Sequence, residues 1–165
     1  PAEPLCRSAS EDTDYNVVSN WYGYLVDGDA TGFIEMMRWV NECDLTQEEQ
    51  YARINEMIDV SSFIDYYCLE LFIANNDWPA NNMRCYQLDD GKWRWIFFDG
   101  DDALAKMDFD VLENATSTIN LGWPTDARST LLFRKLLEDK EFGDRFLLRF
   151  KELLTSQFTY AVTKH

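Results

Sequence analysis

The residues best suited to chemistry lie in two short acidic runs. The first is Asp77-Trp78-Pro79-Ala80-Asn81-Asn82, and the second is Asp99-Gly100-Asp101-Asp102. Asn82 stands five positions after Asp77, and Asp99 stands 22 positions after it. A carboxylate beside a hydroxyl can accept or orient its proton, and carboxylate and amide oxygens are hard donors that suit Mg²⁺ or Mn²⁺. Phosphoryl transfer needs both, because its catalysis is mostly positioning and neutralisation of phosphate charge. On this reading Asp77 is the catalytic acid/base. Asn82 and Asp99 converge on a cation and its nucleotide, and Asp101 or Asp102 adds a further ligand.

Protein kinases use the same order: an Asp, an Asn five positions later, then a second Asp after a short hairpin. Other readings of the same residues stay open. Asp77 and the asparagines also suit a helix cap or an Asx turn, with Asp99 and Asp101 opening a loop. A structural Ca²⁺ site is another reading, although Asp99-Gly100-Asp101-Asp102 lacks the spacing of a 12-residue EF-hand loop.

The elements around these runs must deliver them to one place. Val60, Phe63, Ile64, Tyr67, Cys68, Leu71 and Phe72 recur at helical spacing, so a helix over 60–74 buries one stripe and ends just before Asp77. Strands over 83–88 and 93–98, rich in aromatic and branched residues, flank Asp89-Asp90-Gly91-Lys92, a hairpin turn in which Gly91 can supply positive φ. The second strand runs into Asp99. Upstream, Phe33, Met36, Met37 and Val40 mark a helix over 32–43, and Thr46 with Glu49 reads as a capping box for a helix over 47–58. Residues 1–20 are polar and read as a loose lead-in. Residues 103–127 read as a long loop with a short helical piece, and two amphipathic helices close the chain. The fold class is α+β, mainly helical, with one small hairpin.

Composition removes several function classes. The 165 residues include 46% hydrophobic and 15% aromatic residues, enough for a real core. A net charge of −15 repels nucleic-acid backbones. No apolar run approaches the roughly 20 residues of a membrane span. Cys6, Cys43, Cys68 and Cys85 form no C-x-x-C pair and the lone His is terminal, which argues against a Cys/His zinc site. Disulfides remain open, with Cys68 reading as core. Asn114-Ala115-Thr116 fits the glycosylation acceptor pattern. Trp78, Trp93 and Trp95 read as packing residues. Trp123-Pro124 reads as a loop anchor, with peptide docking as the alternative, and Arg128, Arg145 and Arg149 as surface charges.

The run from Ser62 to Asn82, the run from Gly91 to Asp101 and the run from Leu131 to Phe146 together resemble the spore coat protein H (CotH) kinase-like family over about residues 45–158. The resemblance implies a kinase-like fold, of which 31–160 would be the C-terminal lobe and 1–30 a lead-in left from an N-terminal lobe. It implies ATP-dependent transfer with Mg²⁺ or Mn²⁺ to Ser or Thr of secreted, coat or envelope proteins, and a secreted or envelope-associated location. Carried onto this chain, Asp77 is catalytic, Asn82 and Asp99 bind the metal-nucleotide, and Asn81 and Asp101 join the metal set. There are departures. No Gly-rich loop followed by a strand Lys is present, and Lys92 and Lys106 do not replace it. Asn75 stands where many kinases have His, and Gly100 replaces a bulky residue between the two acids, which implies a looser turn. The alternative is a fold kept without transfer, as a pseudokinase-like adhesion module or a structural coat protein.

Overall fold

The computed structural model describes residues 14–158 apart from 107, 121 and 123–125. Four antiparallel strands form one sheet: β1 (Tyr15–Ser19), β2 (Tyr24–Asp27), β3 (Arg84–Leu88) and β4 (Arg94–Ile96), in the order β2-β1-β3-β4. The helices are α1 (Thr31–Glu42), α2 (Glu48–Met57), α3 (Val60–Phe72), α4 (Val111–Thr116), α5 (Leu131–Leu137) and α6 (Lys140–Ser156). The fold is thus α+β and mainly helical.

The expected hairpin is present, but it is only half of the sheet. The stretch read as a loose lead-in supplies the other half, since β1 pairs along β3 from Tyr15↔Leu88 to Ser19↔Arg84. Strands of four or five residues in polar surroundings give little periodicity, and Gly23, with φ +79 and its missing Cβ facing Ile34, makes the tight turn between β1 and β2. In the β3–β4 turn the positive φ falls on Asp89 and Asp90, while Gly91 is needed because a Cβ there would lie 2.8 Å from the Leu88 carbonyl oxygen. Two successive left-handed residues match the twist of the strands, and Asp adopts that conformation at low cost.

Alternation turns one face of the sheet to the core, while the other is mostly half-buried apart from Val17, which is buried. The row Val18, Cys85 and Trp95 is buried, and Trp95 meets Phe63 of α3 edge-on at 4.7 Å. Below it α3 is the central element, with Phe63, Tyr67 and Cys68 fully buried and Tyr67 stacked on Phe133 of α5 at 4.2 Å. Asp59 caps α3 by accepting from the Ser62 N–H at 3.0 Å and pairs with Arg94 at 2.8 Å, which fixes the start of α3 against β4. The capping box expected at Thr46 does not form. Asp44 accepts from the Thr46 hydroxyl at 2.6 Å, and Gln47 becomes the residue before α2 with no side-chain cap. A nearer carboxylate has simply outcompeted the helix N–H for the hydroxyl.

Cys43, Cys68 and Cys85 are buried free thiols, and burial pushes Cys68 up to about 12. Cys6 and Trp123-Pro124 lie outside the described residues. Asn114 sits within α4, its amide donating to the Asp110 carbonyl at 2.9 Å. Trp78, Trp93 and Trp95 are core residues. Arg149 bridges α6 to α3 through Asp65 at 2.6 Å. Among the described residues no helix is long and apolar enough to cross a membrane.

Candidate active site

α3 delivers the first acidic run and β4 delivers the second. After Phe72 the chain leaves the helix through Ala74, whose φ of 44 turns it sharply, and Asn75 and Asn76 follow as buried residues. Across the sheet the Arg84–Ile96 pair is the end row of the β3–β4 ladder, so Asn82 enters β3 beside the point where β4 releases Phe98 and Asp99.

Asp77, Asn81 and Asn82 form one hydrogen-bonded group. The Asp77 Oδ2 accepts from Asn81 Nδ2 at 2.6 Å and from Asn82 Nδ2 at 3.1 Å. Asn81 Nδ2 also donates to Asn82 Oδ1 at 3.0 Å, and Asn82 Nδ2 donates to the Asp99 main-chain carbonyl at 3.3 Å. Four of the five candidate residues therefore meet: Asp77, Asn81 and Asn82 through their side chains, and Asp99 through its backbone. The Asp99 carboxylate is not drawn in, and Asp99 and Asp101 are both exposed. Asp99 and Asn82 have φ of 58 and 52, so both loops carry a left-handed residue where they meet.

A Cβ at Gly100 would lie 2.6 Å from the Phe97 ring, so the turn passes close to that side chain. The second loop is closed by Ala103 N–H to the Gly100 carbonyl at 3.1 Å and Leu104 N–H to the Ile73 carbonyl at 2.8 Å.

Beneath the group lies a polar node. Glu70 is fully buried on α3, in register with Phe63, Tyr66 and Tyr67, and its Oε2 accepts from Asn75 Nδ2 at 3.0 Å. The same amide reaches the Asp99 carbonyl at 3.3 Å, while Asn75 Oδ1 accepts from the Asp77 N–H at 3.2 Å. Asn75 thus holds both loops at once. Asn76 repeats the device one residue on, donating to the Asp102 carbonyl at 2.8 Å. Desolvation pushes Glu70 up to about 7, against the opposing effect of its hydrogen bond to Asn75. Glu70 is the residue that periodicity passes over. The signal was an acid three and four positions beyond buried aromatics on a helix, where a solvated face should not be.

The donor set is entirely oxygen, with carboxylates at Asp77, Asp99 and Asp101 and amide oxygens at Asn81 and Asn82. Its chemistry fits a hard divalent cation. Among the described residues no three or more His, Cys, Asp or Glu side chains converge on one point. What converges is one carboxylate, two amides and a main-chain carbonyl.

The family described as CotH kinase protein matches residues 6–164. The chain belongs to the CotH kinase family. The match takes in β1 and β2 as well as the two acidic loops, so the whole four-stranded sheet lies within the family's domain. No curated protein and no solved structure matches the chain.

Proposed function

We propose that this CotH kinase family member takes part in protein phosphorylation, with transfer of the γ-phosphoryl group of ATP to Ser or Thr hydroxyls of secreted or envelope proteins. The observation that carries the reading is the Asp77–Asn81–Asn82 group tied to Asp99 where two loops meet. Two amides restrain Asp77 through Oδ2 alone, so Oδ1 is left to accept the proton of an incoming hydroxyl. With its proton passed to Oδ1, the Ser or Thr hydroxyl oxygen would attack the γ-phosphorus while the bond from that phosphorus to the β,γ-bridging oxygen breaks and ADP leaves with that oxygen. Asn82 and Asp99, with Asn81 and Asp101, would hold Mg²⁺ or Mn²⁺, which supplies neutralising charge for the phosphates. Asn75 and Glu70 fix the position of Asp77 through its own N–H and keep the two loops in register.

Asp77→Asn in the full-length protein should lower transfer from γ-labelled ATP by about 10²–10⁴-fold with little change in melting temperature. Retained transfer would overturn the assignment. One observation favours a second reading, a non-catalytic surface-binding module. Asp77, Asn81 and Asn82 satisfy one another, and the acids gather no three-ligand cluster among the described residues. A full-length protein that binds partners but shows no metal-dependent nucleotide binding would support that reading.

A further inference from the structure

Arg84 is a half-buried cation on the strand that leaves the first acidic loop. It opens β3 two positions after Asn82, and its guanidinium carbon lies 3.6 Å from the ring centroid of Phe98, the residue bonded to Asp99. It belongs to the end row of the ladder, Ser19–Arg84–Ile96, on the face opposite the buried Val18–Cys85–Trp95 row. The side chain therefore projects on the face opposite that buried row, against the residue that precedes Asp99.

Among the described residues no hydrogen bond or ion pair reaches the Arg84 guanidinium. Its Nε is buried without a hydrogen bond, and no carboxylate of the described residues pairs with it, in a chain where Asp and Glu outnumber Lys and Arg 30 to 15. The other half-buried cations each find oxygen. Arg128 donates to the Trp21 carbonyl, Arg134 to Thr130 and the Ala127 carbonyl, and Lys135 to the Cys43 carbonyl. Arg145 pairs with Glu141, and Arg149 with Asp65. A buried N–H without a partner is uncommon in a native fold and calls for an explanation. The ring contact supplies one part of it, since a guanidinium stacks well on an aromatic face and is thereby pre-oriented. It leaves the remaining N–H donors without an acceptor among the described residues.

We infer that Arg84 is a phosphate-binding residue of the nucleotide site, held flat on Phe98 so that its outer N–H groups meet phosphate oxygens. A planar guanidinium matches two phosphate oxygens at once, and charge-assisted bonds of this kind are stronger than neutral ones. The inference rests on the phosphoryl-transfer reading and deepens it. The sequence offers no Gly-rich loop with a strand Lys, and the fold supplies a cation from the other side, at the base of the strand that follows Asn82. An acidic site that must also hold a triphosphate needs such a charge, because its carboxylates alone repel the ligand.

The test is nucleotide binding by the full-length protein, with Arg84→Gln and Arg84→Lys, titrated with Mg·ATP, ADP and adenosine. Arg84→Gln should weaken ATP and ADP by about 10- to 100-fold and leave adenosine unchanged, with Arg84→Lys between it and the wild type. A wild-type protein that binds Mg·ATP, with Arg84→Gln equal to it, overturns the inference and leaves the transfer reading standing. Equal weakening of adenosine and ATP assigns Arg84 to packing on Phe98 and also overturns it. A wild-type protein that binds no nucleotide overturns both.

Discussion

Loop 75–82 and loop 99–104 meet at the Asp99 carbonyl, but different kinds of atom hold them. In the first loop the side chains do the holding. Asn75 is bound to Glu70, Asp99 and Asp77, and Asp77 accepts from two amides. In the second loop it is the backbone that is held. The carbonyls of Asp99 and Asp102 accept from Asn75, Asn82 and Asn76, while the acidic side chains remain exposed. A loop held by its backbone is indifferent to its side chains, which are then left to face a ligand. Substitutions in the first loop should therefore cost stability as well as function, and those in the second should cost function alone.

The largest effect should come from Asp77→Asn, which is the exception to that stability cost because it keeps the side-chain shape and an oxygen to accept from both amides. Transfer should fall by the 10²–10⁴-fold given above, and a melting temperature lowered in proportion would show that Asp77 is chiefly structural.

Glu70 gives the next effect, and its sign follows from burial. Its carboxyl is raised from 4.5 to about 7, so between those values the folded state holds the proton that the unfolded state has lost. Stability from this group is full below about pH 4.5, falls as pH rises towards 7, and is flat above, for a total of roughly 3 kcal/mol. Urea denaturation from pH 4 to 8 should show that decline in the wild type and lose it in Glu70→Gln. A decline that persists in the variant would place the titration elsewhere.

Asn75→Ala removes the shared donor and should cost about 1–3 kcal/mol by leaving Glu70 and the Asp77 N–H without their partner. The smallest effect belongs to the second loop. Asp101→Ala should change stability by no more than about 0.5 kcal/mol in the same denaturation experiment, and a larger loss would mean its carboxylate is held after all.

Much of this architecture is legible in the sequence because apolar periodicity reports burial directly. α3 shows it best, with Phe63, Tyr67, Cys68 and Leu71 at helical spacing and all buried. Strands β3 and β4 are legible for the same reason, through Cys85 and Trp95. β1 and β2 are not, because four or five residues give two alternations at most, and β2 has no buried residue to mark a face. The order Asp77, Asn82, Asp99 is legible as chemistry, and the fold brings those residues together. Which atom of Asp99 turns inward is not legible, since that depends on a left-handed residue at the strand exit. Glu70 and Arg84 escape for a related reason. Each is a charged residue whose meaning comes from what lies across the fold, Asn75 for one and Phe98 for the other.

The most direct test of the account is thermal melting of the full-length protein with and without Mg²⁺ or Mn²⁺ plus ATP, in the wild type and in Asp99→Asn. Asn tolerates the left-handed backbone at position 99, so the variant should melt with the wild type in the absence of ligand. The account predicts metal-dependent stabilisation of the wild type by about 2.7 kcal/mol at a hundredfold excess of ATP over its dissociation constant, and its loss in the variant. Equal stabilisation of both proteins, or none in the wild type, would contradict a nucleotide site built on the junction of the two loops.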